Sequence, residues 1–325
     1  MGRINNNNLT STLVTMLVTI LVTILVTKGV NRSVIKITCF FLFCIFAFAN
    51  NISKAEGQVE YEIRQLGTGF TVNDINDNAW LVGNINDKAT LYNGKPVRLI
   101  TASGALSSNA TSINNHAQIV GSWTYYNDAV AKETPVGFML NFHDLFSSTT
   151  PLFISGYHST ELLAINDSGR AVGYALSGDD MSCALTYTSD PLCIPFDPPV
   201  SARATDINLM GDFVANYEAS DGVPHAILFP NGGVPHNLDT PQTRPSVVNA
   251  MNSNAENLQV VGWFEDDAGV RKAYVHQKGV IQDLGFLPNG IKAEALDVNN
   301  KGQIVGTVWV LNDAGEEEQR AFIFT

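Results

Sequence analysis

The sequence predicts an all-β fold, a six-bladed β-propeller, and three observations lead to that class. Six segments share one pattern, in which an apolar residue and an asparagine are followed by a short turn, two apolar residues and a small residue. The repeats recur every 38 to 52 residues, which leaves room for four short strands in each, as in a propeller blade. After residue 50, no segment sustains the 3.6-residue period of a helix. The repeated asparagines are Asn76, Asn114, Asn166, Asn208, Asn252 and Asn299.

Each asparagine marks a tight hairpin between the first and second strands of its repeat. The asparagine side chain can accept a hydrogen bond from the backbone two residues on, and a glycine three residues later can close the turn in the left-handed conformation. Ala79 and Ala117 replace that glycine in the first two repeats. There we expect the neighbouring Asn78 or His116 to adopt the positive φ, or the turn to differ.

A second small residue follows each hairpin, seven places after the asparagine in five of the six repeats. It predicts a close approach by the neighbouring strand, where a larger side chain would clash. In the fifth repeat an insertion at 255–258 delays this residue. The small residues are Gly83, Gly121, Gly173, Ala215, Gly262 and Gly306.

A third strand follows a polar loop in every repeat, and a fourth strand, such as 280–285, follows in the internal repeats. The last repeat ends at Thr325, directly after its third strand. Because segment 61–67 resembles the fourth strand of repeat five, we expect an N-terminal strand at 61–66 to complete the last blade and close the ring. The third strands are predicted at 89–92, 137–140, 184–187, 226–229, 273–276 and 321–324.

The N-terminal region divides into three segments before the propeller at 61–325. Residues 1–33 hold a low-complexity Leu-Val-Thr tract with a period of four, which fits neither helix nor strand and which we expect to be absent from the mature protein. Residues 34–49 have the features of a secretory signal peptide, with a basic residue, an apolar run and a small-x-small site ending at Ala49. Residues 50–60 form a short linker.

The signal peptide predicts an exported protein, whether extracellular, on the cell surface or periplasmic. The alternative is a protein tethered to a membrane by an uncleaved N-terminal segment, because residues 9–26 are apolar or threonine throughout.

The repeats resemble a known family. The pattern Ile-Asn-x-x-Gly-x-Ile-Val-Gly, the Gln-Asp-Leu-Gly at 282–285 and the Arg-Ala-Phe at 320–322 resemble the HAF repeats of bacterial extracellular repeat proteins. The resemblance covers 61–325 and implies an exported protein with a propeller-like fold. It implies no catalytic residue, because the defining positions of that family are structural. Ala215 departs from the glycine of the pattern.

The charge of the chain argues against nucleic acid as a partner. The formal net charge is −12, and the first 49 residues hold four basic and no acidic side chains. The remaining chain therefore carries 15 basic against 31 acidic groups, and such a surface repels a phosphate backbone. We expect a monomer whose partner is an unidentified protein or a glycan.

The sequence contains none of the common catalytic or phosphate-binding motifs, and its six histidines are scattered over different repeats. We therefore expect a non-enzymatic binding scaffold that holds no cofactor. The alternative is a secreted carbohydrate-active hydrolase with carboxylates at the mouth of the ring, since glycosidases need two carboxylates across a cleft.

Cys183 and Cys193 can form a disulfide in an exported protein. If strands 183–187 and 192–196 pair about a turn at 188–191, Cys183 faces Phe196 instead. The bridge therefore requires a shorter hairpin or a bulge. Two free buried thiols are the alternative.

The loops between the second and third strands are acidic in five repeats, and in a four-stranded blade they all emerge on one face. This acidic loop face predicts a surface for a basic protein, for a glycan stacked on its tyrosines, or for calcium, although no specific calcium motif is present. The alternative is a set of solvated loops that keeps the protein soluble. Three basic residues, Lys88, Lys272 and Arg320, stand where they could pair with it. Its members are Tyr125, Tyr126, Asp128, Asp179, Asp180, Glu218, Asp221, Glu265, Asp266, Asp267, Asp313, Glu316, Glu317 and Glu318.

Overall fold

The computed structural model describes residue 66 and residues 68–99, 103–128, 131–144, 151–194, 196, 200–220, 222–238 and 244–325. These residues form β-strands and one 3₁₀ turn, Phe142–Asp144, so the all-β prediction is confirmed. None of the helical structure within these ranges is long and apolar enough to cross a membrane. The predicted Leu-Val-Thr tract, signal peptide and linker lie outside the described residues, as does nearly all of the predicted closing strand 61–66.

The described strands form six antiparallel sheets, and in each sheet the strands lie side by side in chain order. Sheet 1 contains β1 (Phe70–Ile75), β2 (Leu81–Ile85), β3 (Lys88–Tyr92) and β4 (Pro96–Arg98); sheet 2 contains β5 (Ser107–Ile113), β6 (Gln118–Asn127) and β7 (Lys132–Asn141). Sheet 3 contains β8 (Tyr157–Ile165), β9 (Ala171–Ser177), β10 (Ser182–Tyr187) and β11 (Pro191–Cys193); sheet 4 contains β12 (Ser201–Ile207), β13 (Phe213–Glu218), β14 (Pro224–Phe229) and β15 (His236–Asn237). Sheet 5 contains β16 (Ser246–Met251), β17 (Gln259–Glu265), β18 (Arg271–Gln277) and β19 (Val280–Asp283); sheet 6 contains β20 (Gly290–Val298), β21 (Ile304–Leu311) and β22 (Glu317–Phe324).

Sheet 2 differs from the predicted repeat. The sequence predicts a fourth strand after every internal third strand, but the described part of sheet 2 has three strands. In place of a fourth strand, Leu152 forms an isolated bridge to Gly137 of β7, and its N–H lies 2.8 Å from the Gly137 carbonyl oxygen.

Each sheet packs against the next one through a hydrophobic cluster. Five such clusters join sheets 1 to 6 in series within the described residues. Between sheets 1 and 2, for example, Leu91 packs with Trp123, whose ring stacks on Phe138 at 4.9 Å between centroids. The first strands of consecutive sheets also contact one another, from β1 to β20. Burial of apolar side chains between sheets is therefore the main stabilising contribution in this fold.

Each repeated asparagine folds its own hairpin. Asn166 shows the arrangement: its Oδ1 accepts hydrogen bonds from the N–H groups of Ser168 and Arg170, both at 3.1 Å. In five of the six repeats, glycine or alanine then adopts a positive φ three residues after the asparagine. The expectation for the first two repeats was wrong, because Ala79 and Ala117 themselves adopt φ values of 57° and 60°. The bonded asparagine side chain holds the turn in a conformation that alanine tolerates only at some cost.

The same asparagines bond to the following sheet. Asn76 Nδ2 donates to the Asn114 carbonyl oxygen at 3.0 Å, and Asn114 Nδ2 donates to the Asn166 carbonyl oxygen at 3.0 Å. Asn166 continues the series to Asn208 at 2.9 Å. Asn208 breaks it, because its Nδ2 donates to Asp212 of its own turn. Asn252 resumes the series with a longer contact, 3.5 Å to the Asn299 carbonyl oxygen.

The residue after each asparagine adds a second set of bonds between sheets. The Asp77 N–H donates to Asn115 Oδ1 at 2.9 Å, and the Asn115 N–H donates to Asp167 Oδ1 at 2.8 Å. Further along the chain, the Ser253 N–H donates to Asn300 Oδ1 at 2.7 Å. The hairpins are thus joined sheet to sheet by side chains that the repeat supplies.

The second small residue of the repeat lies opposite a β-bulge in the first strand of every sheet. At Gly173, which pairs with Leu162, an added Cβ would lie 1.9 Å from the Glu161 carbonyl oxygen. The other glycines meet the equivalent carbonyl at 1.9 to 2.2 Å. The bulge of each sheet therefore favours glycine at this position, although sheet 4 accommodates the Cβ of Ala215 there.

Polar bulge residues donate to the next sheet as well. Thr111 Oγ1 lies 2.7 Å from the Leu162 carbonyl oxygen, and Asn249 Nδ2 lies 2.7 Å from the Ala295 carbonyl oxygen. Asn73 and Thr205 make equivalent bonds to Ala110 and Val248. All these donors face the sheet that follows in the chain.

Candidate functional site: the loop end

The antiparallel sheets separate two kinds of turn. The asparagine hairpins lie at one end of the sheets, which we call the hairpin end, and the turns between second and third strands lie at the other, the loop end. The residues of the acidic loop face belong to the loop end. Tyr125 and Tyr126 end β6, Glu218 and Glu265 end β13 and β17, and Glu317 begins β22. Asp221 lies outside the described residues.

Several acidic side chains at the loop end are paired with local cations. Lys132 Nζ lies 2.7 Å from Asp180 Oδ1, and this pair joins sheet 2 to sheet 3. Two of the three cations named by the sequence pair as expected, Lys272 with Asp266 and Arg320 with Glu318. Lys88 does not, because its Nζ donates to the Leu106 carbonyl oxygen at 2.9 Å. Two further pairs, Arg244 with Asp267 and Lys292 with Glu317, were not predicted.

Hydrogen bonds keep some of these carboxylates ionised. The bond from Lys132 holds the pKa of Asp180 below its ordinary value. The pKa of Asp266 is lowered mainly by the N–H groups of Val270 and Ala268. The Ser177 hydroxyl has the same effect on the pKa of Asp179. The negative charge at this end therefore persists at mildly acidic pH.

A second group of acidic side chains forms no ion pair with any described residue. These side chains are exposed or half-buried and lie at the ends of β6, β13 and β17 and in the last turn. They are the part of the acidic loop face whose field is not balanced locally. The group consists of Asp128, Glu218, Glu265, Asp313 and Glu316.

A metal site is not assembled in the described part of the chain, where no three His, Cys, Asp or Glu side chains converge to hold an ion. The loop-end carboxylates follow one another around the sheets and are not gathered at one point. The calcium expectation therefore has no ligand set among these residues.

The sequence pattern did not single out three aspartates, of which Asp74 and Asp206 are half-buried and Asp297 is exposed. Asp74, Asp206 and Asp297 occupy the same repeat position, two residues before the asparagine, in the first strands of sheets 1, 4 and 6. Asp206 Oδ2 accepts a hydrogen bond from the Met251 N–H of the next sheet at 2.8 Å. Asp74 Oδ2 likewise accepts from the Ser112 hydroxyl of the next sheet at 2.7 Å.

The charges of these aspartates raise the pKa of Asp74 and of Asp206. Desolvation, opposed by two backbone hydrogen bonds, raises the pKa of Asp206 to about 7, and the charges of Asp297 and Asp74 add to the increase. Burial likewise raises the pKa of Asp74, with a contribution from Asp297. The first strands of sheets 1, 4 and 6 therefore bring these carboxylates close enough for their charges to interact. The shared repeat position of the three aspartates can be read from the sequence, but only the fold shows that the three carboxylates interact.

The structure joins Cys183 and Cys193 in a disulfide, with the Cα atoms 5.5 Å apart. The predicted register was wrong: Tyr187 pairs with Pro191 and Leu185 with Cys193, so the turn is shorter than 188–191. The hairpin is one residue shorter than predicted, and the bridge runs diagonally, since Cys183 lies two places along β10 from Leu185, the residue opposite Cys193. The bridge links β10 and β11 of sheet 3, and Cys183 is the second residue of β10, three residues after Asp180 of the loop end.

Consecutive antiparallel sheets of three or four strands, each packed on the next, are the arrangement of β-propeller blades. No family model matches this chain, and no curated protein matches it. Among solved structures it is similar to a puromycin hydrolase, with a TM-score of 0.52 and 11% identity over 75% of this chain and 41% of that one. It is also similar to a puromycin-hydrolysing peptidase of Mycobacterium tuberculosis, with a TM-score of 0.51 and 11% identity over 74% and 40% of the two chains.

A further match is the β-propeller domain of the Trilobed protease from Pyrococcus furiosus, with a TM-score of 0.49 and 11% identity over 79% and 83% of the chains. The chain spans about two fifths of the length of the first two structures. At this level of identity the likeness concerns the fold alone.

Proposed function

We propose that this protein is an exported, non-enzymatic scaffold of the HAF-repeat kind that binds a basic partner through its acidic loop face. The proposal combines the predicted signal peptide with the charge of the loop end. A rigid set of sheets that carries variable loops at one end is a common way to place binding groups without disturbing a core.

The observation that supports this function best is the unequal use of polar groups at the two ends. At the hairpin end, asparagine side chains are buried and bonded to the next sheet; Asn114 and Asn166 are each 4% exposed. At the loop end, acidic side chains such as Glu265 and Glu316 form no ion pair within the described structure. A partner can therefore bind these unpaired carboxylates without replacing any ion pair between the sheets.

The binding experiment measures a fluorescein-labelled octalysine peptide by anisotropy on the full chain, over a range of salt concentrations. The test variant combines Glu265→Lys with Glu316→Lys, and the matched control combines Asp190→Lys with Glu256→Lys in exposed turns of the hairpin end. At about 0.15 M salt we expect the test variant to lose about tenfold in affinity and the control less than about threefold, because a Debye length of about 8 Å confines the effect of each charge to its own end. Equal losses of affinity in both variants would show that peptide binding depends only on the net charge of the protein and not on the position of the charges.

We also infer that sheet 6 packs on sheet 1 and closes six blades into a ring. No hydrogen bond joins these two sheets within the described residues, yet each carries its half of the repeated contact. Asn299 Nδ2 and the Asn300 N–H correspond to the donors of the other sheets, and the Asn76 carbonyl and the Asp77 carboxylate correspond to the acceptors. Both surfaces are also exposed, with Val72 at 44% and Leu296 at 45%.

Cross-linking tests this closure directly. In the other sheets the bulge residue lies beside the position of the next sheet that is equivalent to Val72, as Asn73 lies beside Ala110. The double variant Val72→Cys with Leu296→Cys should therefore be linked within one chain by a short bismaleimide. The control, Leu192→Cys with Leu296→Cys, should not be linked. An unlinked test variant with both thiols reactive would show an open arrangement.

A further inference from the structure

A cleft at the loop end combines exposed aromatic rings with unpaired acid. It has a volume of about 370 Å³ and lies where the end of sheet 2 meets the start of sheet 3. Two of its rings are largely exposed, with Tyr126 at 57% and Phe153 at 71%. The lining consists of Tyr125, Tyr126, Asn127, Asp128, Thr134, Val136, Phe153 and His158.

The charge in and beside the cleft is negative and not balanced. Asp128 lines it, and Glu133 lies opposite Tyr126 in the pairing of β6 with β7. Neither carboxylate has an ion-pair partner in the described residues. The nearby Lys132 does not neutralise them, because it is bonded to Asp180 at 2.7 Å.

We propose that this cleft binds a cationic side chain of a basic partner, a guanidinium or an alkylammonium group, between Tyr126 and Phe153 and against Asp128. The proposal rests on the basic partner proposed above and names the group that the partner inserts. The faces of aromatic rings attract cations, and a carboxylate beside them adds a charge-assisted hydrogen bond. The volume falls in the range of small-ligand sites, which is about 300 to 1,000 Å³.

The chemistry of the lining argues against an anion and against a purely apolar ligand. An anion would be repelled by Asp128 and by the net acidic surroundings. A purely apolar group would fill the cleft but would leave that carboxylate next to a desolvated surface, which is costly.

His158 supports the same choice. Its side chain is 10% exposed, and its two ring nitrogens make no hydrogen bond; Nε2 lies 3.9 Å from Asp180 Oδ1. A polar group of a ligand that enters the cleft can therefore form a hydrogen bond with an imidazole nitrogen that has no partner in the described structure.

The test uses a labelled hexa-arginine peptide and the full chain, with affinities measured by anisotropy at constant salt. Cation–π contacts contribute about 0.5 to 2 kcal/mol, so Tyr126→Ala and Phe153→Ala should each weaken binding by about 2- to 30-fold. Tyr126→Phe should bind within about twofold of the wild type, because it keeps the ring face. The control Val234→Ala removes a side chain that is 74% exposed outside the cleft, and it should leave the affinity unchanged.

The outcomes separate this proposal from the wider one. If the double variant Glu265→Lys with Glu316→Lys weakens peptide binding while Tyr126→Ala and Phe153→Ala do not, the acidic loop face binds basic partners but the cleft does not. If the ring variants abolish binding of neutral maltose and leave the peptide unaffected, the cleft is a carbohydrate site and the proposal is overturned. Because both rings are exposed, thermal melts of the variants should match the wild type.

Discussion

The two ends of the sheets contain the same asparagine turn but use it differently. At the hairpin end, Asn166 Oδ1 accepts two backbone N–H groups, and its Nδ2 donates to the Asn208 carbonyl of the next sheet. At the loop end, Asn312 Oδ1 also accepts two backbone N–H groups, but its Nδ2 reaches only Glu316 of its own turn. The hydrogen bonds within the turn are therefore the same at both ends. What distinguishes the hairpin end is the additional bond from the asparagine to the next sheet, and this bond organises the fold.

The largest difference between the ends should appear at glycine. Gly173→Val places a branched side chain where even a Cβ lies 1.9 Å from a backbone carbonyl, so we expect a loss of about 3 kcal/mol or more in the free energy of unfolding. Gly178→Val at the loop end is the control, since a Cβ there has no neighbour within 4 Å. Urea unfolding measures both. Similar losses in the two variants would mean that the bulge adjusts easily.

Asparagine provides the next comparison. Asn166→Ala removes a buried side chain with bonds in its own turn and to Asn208, so we expect a loss of about 2 to 3 kcal/mol. Asn312→Ala removes the same turn bonds in a more exposed place and should cost less than about 1 kcal/mol. The midpoints of urea unfolding measure the difference in stability between the two variants, provided that the dependence of the free energy on urea concentration is the same for both. Equal losses of stability in the two variants would show that the turn bonds, and not the bond between sheets, account for the effect of Asn166→Ala.

The interior carboxylate should make stability depend on pH. The pKa of Asp206 is about 7 in the folded chain against an ordinary value of 3.8, so the folded state holds its proton more tightly. Its effect is absent below pH 3.8, and it reduces stability as the pH rises from there to about 7. Relative to the wild type, Asp206→Asn should therefore gain up to about 4 kcal/mol between pH 4 and pH 8, at about 1.4 kcal/mol for each unit of the pKa difference. Asp190→Asn in an exposed turn is the control, and a pH-independent difference for Asp206→Asn would contradict the assignment.

The smallest effect on stability is expected at the loop-end ion pair. Lys132→Ala should leave the melting temperature unchanged within error, because an exposed pair contributes little. It should nevertheless strengthen binding of the octalysine peptide by about twofold, since Asp180 is no longer balanced. A clear drop in melting temperature without a change in binding would make the pair structural.

The sequence predicts the parts of this fold that lie within one repeat. The hairpins, the third strands and the end at which the acid gathers follow from Asn, Gly and the spacing, because turns and strand alternation are local. The contacts of Asp206 could not be predicted, since they depend on Met251 of another repeat and on the charges of Asp74 and Asp297. The same holds at the loop end for Lys132, which pairs with Asp180 of the next sheet. Lys88 was predicted wrongly because a backbone carbonyl 18 residues away competes for its ammonium group.

The forward direction of the asparagine bonds has an evolutionary consequence. Most repeats carry a donor toward the successor and an acceptor toward the predecessor, as Asn114 does between Asn76 and Asn166; Asn208 is the exception. A duplicated repeat therefore arrives with both halves of its junctions and needs no compensating substitution in its neighbours. Gain or loss of whole units by recombination is consequently an easier route of change for this architecture than exchange of single residues at the junctions.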